Sequence, residues 1–405
     1  MKYTAALILG ILTILLRPDG ADAVGRLDVE PTQAIEPEDQ TAQGLDQPPH
    51  YEEQFVFKGS ITEKVPYRAY RGPSIMRAPN GNLVVMAEGR VDGPDGSRID
   101  IVSKVSLDNG KTWGAERVII NGPYNTYGDP TQLVDRQTGR VWVFFSAMPD
   151  CSPTNMVPTN PNRYHLASMI SDDNGLTYHS YHEYNDIMPP DSSDAFGRVG
   201  TSHGIQVRYG PTKGRLVVLS HQRLVYSDNH GQAWFAIKNV RGTGEGNILD
   251  CSNGDFVKND RPVRPGGRLQ SLSIDQMKTW SPWETNLDLP DASCQGTLIR
   301  YTSEASGRIR WAFLNAPLTR NSHTLRLSYD EGKTWPISRE LKPASPRPII
   351  TRNDIPSAGY SSMTHTADNM IGILIEQNGN GGARCLMFVK VNAPWIMNGN
   401  KEPQS

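Results

Sequence analysis

The chain has no surplus of charge of either sign: 41 Lys and Arg stand against 43 Asp and Glu in 405 residues, a formal charge of −2. Nucleic acid is held by a basic face, so this balance excludes a polyanion-binding surface as the default. Histidine is sparse, and the nine present form neither an HExxH pattern nor a close pair at ligand spacing. No metal is indicated. Cysteine is sparser still: Cys151, Cys251, Cys294 and Cys385 lie far apart with no CxxC among them, which removes zinc ribbons and thioredoxin-like redox motifs. Two readings of them stay open, one or two disulfides formed after export, or buried free thiols in a domain large enough to need no staples.

A membrane span is also missing. The N-terminal apolar run over 5–16 is about a dozen residues long, against the ~20 that a bilayer core requires. Preceded by Lys2 and followed by Ala21-Asp22-Ala23, it reads as a secretory signal over 1–23 cleaved near Ala23. The mature protein is therefore expected to be secreted or periplasmic. Residues 24–53 are rich in Pro, Gln, Glu and Asp and have the composition of a disordered linker. The folded domain is expected over 54–397, with a short tail at 398–405.

What the chain has in abundance is turns. Gly and Pro total 37 and 30 residues, and strand-like runs at 83–87, 141–146, 215–219 and 371–375 alternate with turn signals, as all-β architecture requires. A stretch of the form Ser-x-Asp-x-Gly-x-Thr-Trp returns five times. It is complete at Ser106, Asp108, Gly110, Thr112, Trp113 and at Ser328, Asp330, Gly332, Thr334, Trp335. Ser171, Asp173, Gly175 and Thr177 end in Tyr178, whereas Ser227, Gly231 and Trp234 carry Asn229 and Ala233 in place of Asp and Thr. Ser273, Asp275, Thr279 and Trp280 have Met277 where Gly is expected. Each copy reads as a hairpin turn in which Asp bonds nearby amides, Gly supplies a positive φ and the aromatic fills the space beneath. The Ser positions are 65, 56, 46 and 55 residues apart, a spacing that suits one four-stranded sheet per repeat and hence a β-propeller.

The residues that could carry chemistry begin with Tyr70-Arg71-Gly72-Pro73-Ser74, followed by Ala87-Glu88-Gly89-Arg90, which sets two arginines 19 residues apart at neighbouring strand ends. Together with the five turns, this resembles the sialidase (neuraminidase) family, whose first blade carries a Tyr/Phe-Arg-Ile-Pro element, an arginine at the end of the next strand, and the turns known as Asp boxes. The resemblance covers residues 55–395 and implies a six-bladed β-propeller. Gly72 departs from the usual Ile, which is expected to loosen the packing under Arg71 but leaves the charged residue in place.

Sialic acid carries a carboxylate on its anomeric carbon, and a planar, permanently charged guanidinium meets it with paired donors that Lys lacks. By motif, the resemblance assigns this clamp to Arg71, to Arg261 in Lys258-Asn259-Asp260-Arg261, and to Arg320, six residues before Arg326. Tyr360, in Ser357-Ala358-Gly359-Tyr360-Ser361, matches the family's nucleophile, and Glu245, in Gly244-Glu245-Gly246-Asn247, matches its base. A neutral phenol approaches an anomeric carbon beside a carboxylate without the repulsion that a carboxylate nucleophile would meet. Asp95, in the loop Val91-Asp92-Gly93-Pro94-Asp95-Gly96, stands where the family has its general acid, with Asp92 and Asp100 as nearby competitors. Glu376 is expected to hold Arg71, and Arg90 and Asp129 to line the pocket for the 4-hydroxyl and the N-acyl group.

The resemblance thus implies a retaining exo-α-sialidase acting without a cofactor on sialylated oligosaccharides, glycoproteins or glycolipids. Transfer of sialic acid to another sugar, an intramolecular reaction giving an anhydro product, and a non-catalytic propeller that binds sialylated glycans are the alternatives. The Gly-rich stretch Gly242-Thr243-Gly244-Glu245-Gly246 lacks the strand–helix context of a nucleotide loop.

Overall fold

The computed structural model describes residues 47–403 except 61, 94–97, 123–125, 149–164, 188–198, 201, 221–222, 238–239, 241–243, 318–319, 321, 342–357 and 379–383. The expected signal, most of the expected linker, Cys151 and Asp95 lie outside the described residues.

Six sheets form the six blades of a propeller. Blade one is Ala69–Arg77, Leu83–Arg90, Ile99–Ser106 and Arg117–Ile120, and blade two is Thr126–Val134, Val141–Met148, His165–Ser171 and His179–Glu183. A short fifth strand, Ser202–His203, runs parallel to the first strand of blade two. Blade three is Ile205–Gln206, Leu216–Ser220, Arg223–Ser227 and Phe235–Ile237; blade four is Gly246–Asp250, Phe256–Asp260, Gly266–Ser273 and Glu284–Asp291. Blade five is Gly296–Thr302, Arg310–Asn315, Thr324–Ser328 and Ile337–Glu340. Blade six takes Ala358–His365, Ile371–Asn378 and Arg384–Val391 from the C-terminal end and its outer strand, Tyr51–Phe57, from the N-terminal end.

That last pairing corrects the expected linker boundary. Tyr51, Glu52 and Glu53 pair with Val391, Lys390 and Val389, and the Tyr51 ring packs on Trp395 at 4.8 Å. Composition gives these residues no core of their own, but an existing sheet edge offers their backbone partners and an apolar shelf. At the other end Glu402 accepts hydrogen bonds from Arg310 at 2.6 Å and Arg308 at 3.1 Å, which ties the tail to blade five.

The core is a ring of interblade clusters rather than a single centre. Along the second strand of blade one, Leu83, Val85 and Ala87 pack with Leu374, Leu386 and Phe388 of blade six. Val84 and Met86 pack with Val143 and Phe145 of blade two. With both faces covered, such strands read as unbroken apolar runs instead of alternating ones, which is how they stand in the sequence.

All five turns join the third strand of a blade to its fourth. In the first, Ser106 Oγ accepts the Gly110 N–H at 2.8 Å, Asp108 Oδ1 accepts the Thr112 N–H at 2.8 Å, and Asp108 Oδ2 accepts the Thr112 hydroxyl at 2.5 Å. These bonds hold the Asp108 carboxyl down at about 2. The pattern repeats at Asp173, Asp275 and Asp330, and Asn229 Oδ1 reproduces its backbone half. The fourth copy keeps the left-handed turn without glycine: Met277 has φ +70° and is fully buried. Blade six has no such turn because its third and fourth strands come from opposite ends of the chain. Two cysteines are also settled, since Cys251 and Cys294 are free, buried thiols.

The first strands of the blades contact one another around the axis. Three of them are bulged near their starts, each by one extra residue: at Arg71–Ser74 in blade one, Gly128–Thr131 in blade two and Ala358–Ser361 in blade six; the first strand of blade five is bulged instead at its end, between Arg300 and Thr302. A bulge re-aims side chains that would otherwise alternate across the sheet. Gly72 sits in the first of them at φ +57°, and a Cβ there would lie 3.0 Å from the Glu88 side chain. Glycine in place of isoleucine is thus what this bulge requires, not a loosening of the packing beneath Arg71.

Two stability outcomes follow from these contacts. Trp335 is 6% exposed and packed among Trp311 and Phe313, so Trp335→Ala should lower the unfolding free energy by roughly 3–5 kcal/mol in denaturant titration; a loss under about 1 kcal/mol would contradict the assignment of these aromatics to the core. Gly72→Ala should cost about 1–2 kcal/mol from its left-handed backbone alone, and an unaltered or raised midpoint would show that the bulge relaxes freely.

Candidate active site

The bulged strand ends meet at one mouth of the axis and are locked by buried carboxylates on second strands. Glu376, on the second strand of blade six, accepts the Arg71 Nε–H at 3.0 Å, the Gly72 N–H at 3.2 Å and the Tyr360 N–H at 3.2 Å. One side chain therefore fixes the bulges of blades six and one together. Burial by itself would raise the Glu376 carboxyl, but the Arg71 charge, Arg384 and these bonds override it and hold the group below the ordinary carboxylate range. Such an acceptor-rich pocket keeps the carboxylate ionised and the Arg71 guanidinium in place.

Glu88 repeats the device one blade on. Only 4% exposed, it accepts the Asp129 N–H at 2.9 Å through Oε1 and the Arg90 Nε–H at 2.9 Å through Oε2. Asp129 itself has φ +57° and accepts the Ser146 hydroxyl at 3.2 Å. Arg90 and Asp129 are thus joined through a residue that the motifs do not single out. The signal for it in the sequence is a carboxylate at the end of the apolar run at 83–87, where it would be costly if uncompensated.

Tyr360 projects from the third bulge. Its hydroxyl donates to Glu245 Oε1 at 2.5 Å, and Arg261 Nη1 donates to Glu245 Oε2 at 2.5 Å and to the Tyr360 oxygen at 3.3 Å. The Arg71 guanidinium lies 5.5 Å from the centroid of the same ring. Burial, then the Glu245 charge, pushes the Tyr360 phenol well above its ordinary value, against a smaller opposing effect of Arg261. The phenol is therefore neutral at rest, with a carboxylate in position to take its proton. The Arg261 backbone is anchored separately, through its N–H to Asp260 Oδ1 at 2.8 Å, and Asp260 is paired with the buried Lys258 at 3.1 Å.

Arg320 follows the second strand of blade five, with φ +50° and an Nη2–H bond to the Ser293 carbonyl at 2.5 Å. Its charge, with those of Glu376 and Glu245, acts on the buried Cys294 thiol, which burial pushes up to about 12. The hydrogen bond to Ser293 sets the Arg320 guanidinium beside the segment that carries Cys294, a second residue the motifs do not reveal. A third is His323, whose ring meets the Gly359 carbonyl at 3.0 Å behind the bulge. Arg71 is paired with Glu376 at 3.0 Å and Arg261 with Glu245 at 2.5 Å, so both guanidinium groups are oriented before any ligand arrives. Of the competitors for Asp95, Asp92 is exposed, whereas Asp100 is buried, accepts the Tyr67 hydroxyl at 2.9 Å and is raised above its ordinary value by burial.

Comparison with known proteins identifies the family. The BNR repeat-like domain family matches residues 81–373. A sialidase of Micromonospora viridifaciens is 31% identical over 81% of this chain, which spans about half (52%) of that relative's length. An exo-alpha-sialidase of Arthroderma benhamiae is 29% identical over 84% of this chain and 87% of its own. Among solved structures, the Hadza microbial sialidase Hz136 superposes with a TM-score of 0.69 at 25% identity, over 82% of this chain and 67% of that one. The intramolecular trans-sialidase from Ruminococcus gnavus shares the fold with a TM-score of 0.68 at 18% identity, over 87% and 99% of the two chains. With its Asp-box turns, six blades and arginine-rich axial mouth, the chain belongs to the sialidase family with BNR repeats.

Proposed function

We propose that the chain is a retaining exo-α-sialidase that hydrolyses terminal sialic acids through a tyrosyl-enzyme intermediate. The observation that carries the reading is the hydrogen bond from the Tyr360 hydroxyl to Glu245 Oε1 at 2.5 Å, bridged on its other side by Arg261. A glycan-binding propeller has no need of a phenol coupled to a carboxylate. The sialidase names of the relatives support the same substrate class.

The substrate carboxylate is held by Arg71, Arg261 and Arg320, which turns the anomeric carbon toward Tyr360. The phenolic oxygen forms a bond to that carbon while its proton passes to Glu245, and the bond to the aglycone oxygen breaks as Asp95 protonates it. Water then loses a proton to Asp95 and attacks the same carbon from the vacated side. The bond to Tyr360 breaks, and the phenolate recovers its proton from Glu245. Two displacements at one carbon give retention. The step needs no outside oxidant or metal, and its barrier is lowered because charge on the phenol appears only as Glu245 removes the proton.

Assay of the purified chain on a fluorogenic sialoside, with a desialylated control, tests the activity, and identification of the released sugar separates hydrolysis from transfer or anhydro formation. Tyr360→Phe should fold normally and bind substrate but lose turnover; retention of more than about a tenth of wild-type kcat, a barrier change of only ~1.4 kcal/mol, would remove Tyr360 as nucleophile. Asp95→Asn should slow natural glycosides far more than aryl sialosides, since an aryl oxide departs with little protonic help. It should also erase the alkaline limb of the kcat/KM profile for a natural substrate. Equal damage to both substrates in single-turnover measurements, or the same effect from Asp92→Asn alone, would reassign the acid.

A further inference from the structure

Besides the second mouth of the axis, where a cavity of ≈ 120 Å³ opens at the end opposite Tyr360, the propeller has a larger cleft at the seam where the ring closes. It measures ≈ 470 Å³ and lies between residues 54–58, at the end of the outer strand of blade six, and the third strand and first Asp-box turn of blade one. Clefts of roughly 300–1,000 Å³ are the size that small ligands occupy. None of its lining residues belongs to the Tyr360 cluster.

Its charge is one-sided. Among the described residues the lining carries Lys58, Lys104 and Lys111 against Glu116 alone. Lys58 and Lys111 are exposed, and their side chains make no ion pair or hydrogen bond among the described residues. Lys104 is half-buried; its Nζ donates to the Val56 carbonyl at 2.8 Å and lies 5.1 Å from the centroid of the Phe57 ring. Burial lowers the Lys104 pKa, Glu116 opposes this, and Lys58 adds to it. Glu116 accepts the Tyr70 hydroxyl at 3.0 Å and forms no ion pair among the described residues. Carboxylates beyond the lining are engaged elsewhere: Asp108 by the Thr112 N–H and hydroxyl, and Glu52 and Asp368 by Lys390, each at 3.1 Å. Three ammonium groups around one carboxylate favour an anionic ligand.

An aromatic surface narrows the chemistry. Trp113 ends the first Asp-box turn and packs edge-on against Phe388 at 5.2 Å. It is only half-buried, whereas Trp234 and Trp335, at the same place in later turns, are 9% and 6% exposed. Part of Trp113 is therefore left to the cleft it lines. A bare inorganic ion would occupy little of this volume and leave the indole to water. A pyranose ring has a C–H face for the indole and hydroxyl groups for Glu116 to accept, and an acidic substituent answers the lysines.

We propose that this cleft binds an acidic sugar unit, a pyranose carrying one anionic group, with its ring on Trp113, its charge among Lys58, Lys104 and Lys111, and a hydroxyl on Glu116. Lysines act as point charges without a fixed fork, so a carboxylate and a sulfate ester share the chemistry they recognise. The site does not depend on the sialidase reading.

Ligand-observed NMR titration of the full chain with glucuronate, glucose sulfate, glucose and acetate, at fixed ionic strength, tests the proposal. At least one of the acidic sugars should bind about tenfold or more tightly than either glucose or acetate. Binding of glucuronate alone or of glucose sulfate alone supports the site and names its anionic group. Lys58→Gln combined with Lys111→Gln changes only exposed side chains, so the variant should fold normally and weaken acidic-sugar binding about tenfold. Arg320→Gln should leave that binding unchanged, which separates the cleft from the axial cluster. The proposal is overturned if neither acidic sugar binds, if glucose or acetate binds as tightly as they do, if the double lysine variant binds undiminished, or if Arg320→Gln abolishes the binding.

Discussion

Ring closure is the constraint on which the rest depends. The hydrogen bond between Arg71 and Glu376 joins residues 305 positions apart, and they meet because Tyr51–Phe57 completes the sheet of the last blade. Blade six is thereby held against blade one, burying Leu374, Leu386 and Phe388 on Leu83 and Val85. Without that seam Glu376 would lose the Gly72 amide and the Arg71 guanidinium together, and the bulge presenting Tyr360 would lose its link to blade one while keeping its bonds to Glu376, His323 and Glu245. Fold stability and site geometry therefore share one interface.

The site applies one device twice. A buried glutamate on a second strand, Glu376 or Glu88, accepts the backbone amide of a bulge on the next blade and a guanidinium as well. Each carboxylate is compensated by the groups whose positions it sets, which is how an ionised side chain persists at such burial. The contrast with Tyr360 matters for chemistry. Its phenol is kept protonated by burial and by Glu245, so in the proposed reaction it turns nucleophilic only as its proton passes to Glu245.

Features written locally in the chain are legible in the amino-acid sequence alone. Ser106 through Trp113 names its own turn because every partner lies within the same few residues, and even Met277 holds the turn's shape by accepting a left-handed backbone. Tyr360, Glu245 and the three arginines can be picked out through motif resemblance, since each stands in a recognisable stretch. Glu88 and Cys294 cannot, because their importance arises from neighbours on other blades. The role of Gly72 is hidden for a similar reason, as a missing Ile side chain says nothing about a φ of +57° or the proximity of Glu88. Composition conceals the strand at 51–53, because it averages over polar residues and does not register an available sheet edge. The second axial mouth leaves no linear trace at all, since its lining comes in short stretches from all six blades.

The central claim is that the Tyr360 oxygen forms the bond to the anomeric carbon. Incubation of the full chain with 2,3-difluorosialic acid, followed by proteolysis and mass spectrometry of the labelled peptide, tests it most directly. The account predicts a sialyl adduct on the Tyr360 hydroxyl, formed in step with loss of activity and absent in Tyr360→Phe. An adduct on Glu245 or another side chain, or inactivation that labels Tyr360→Phe as readily as wild type, would contradict it.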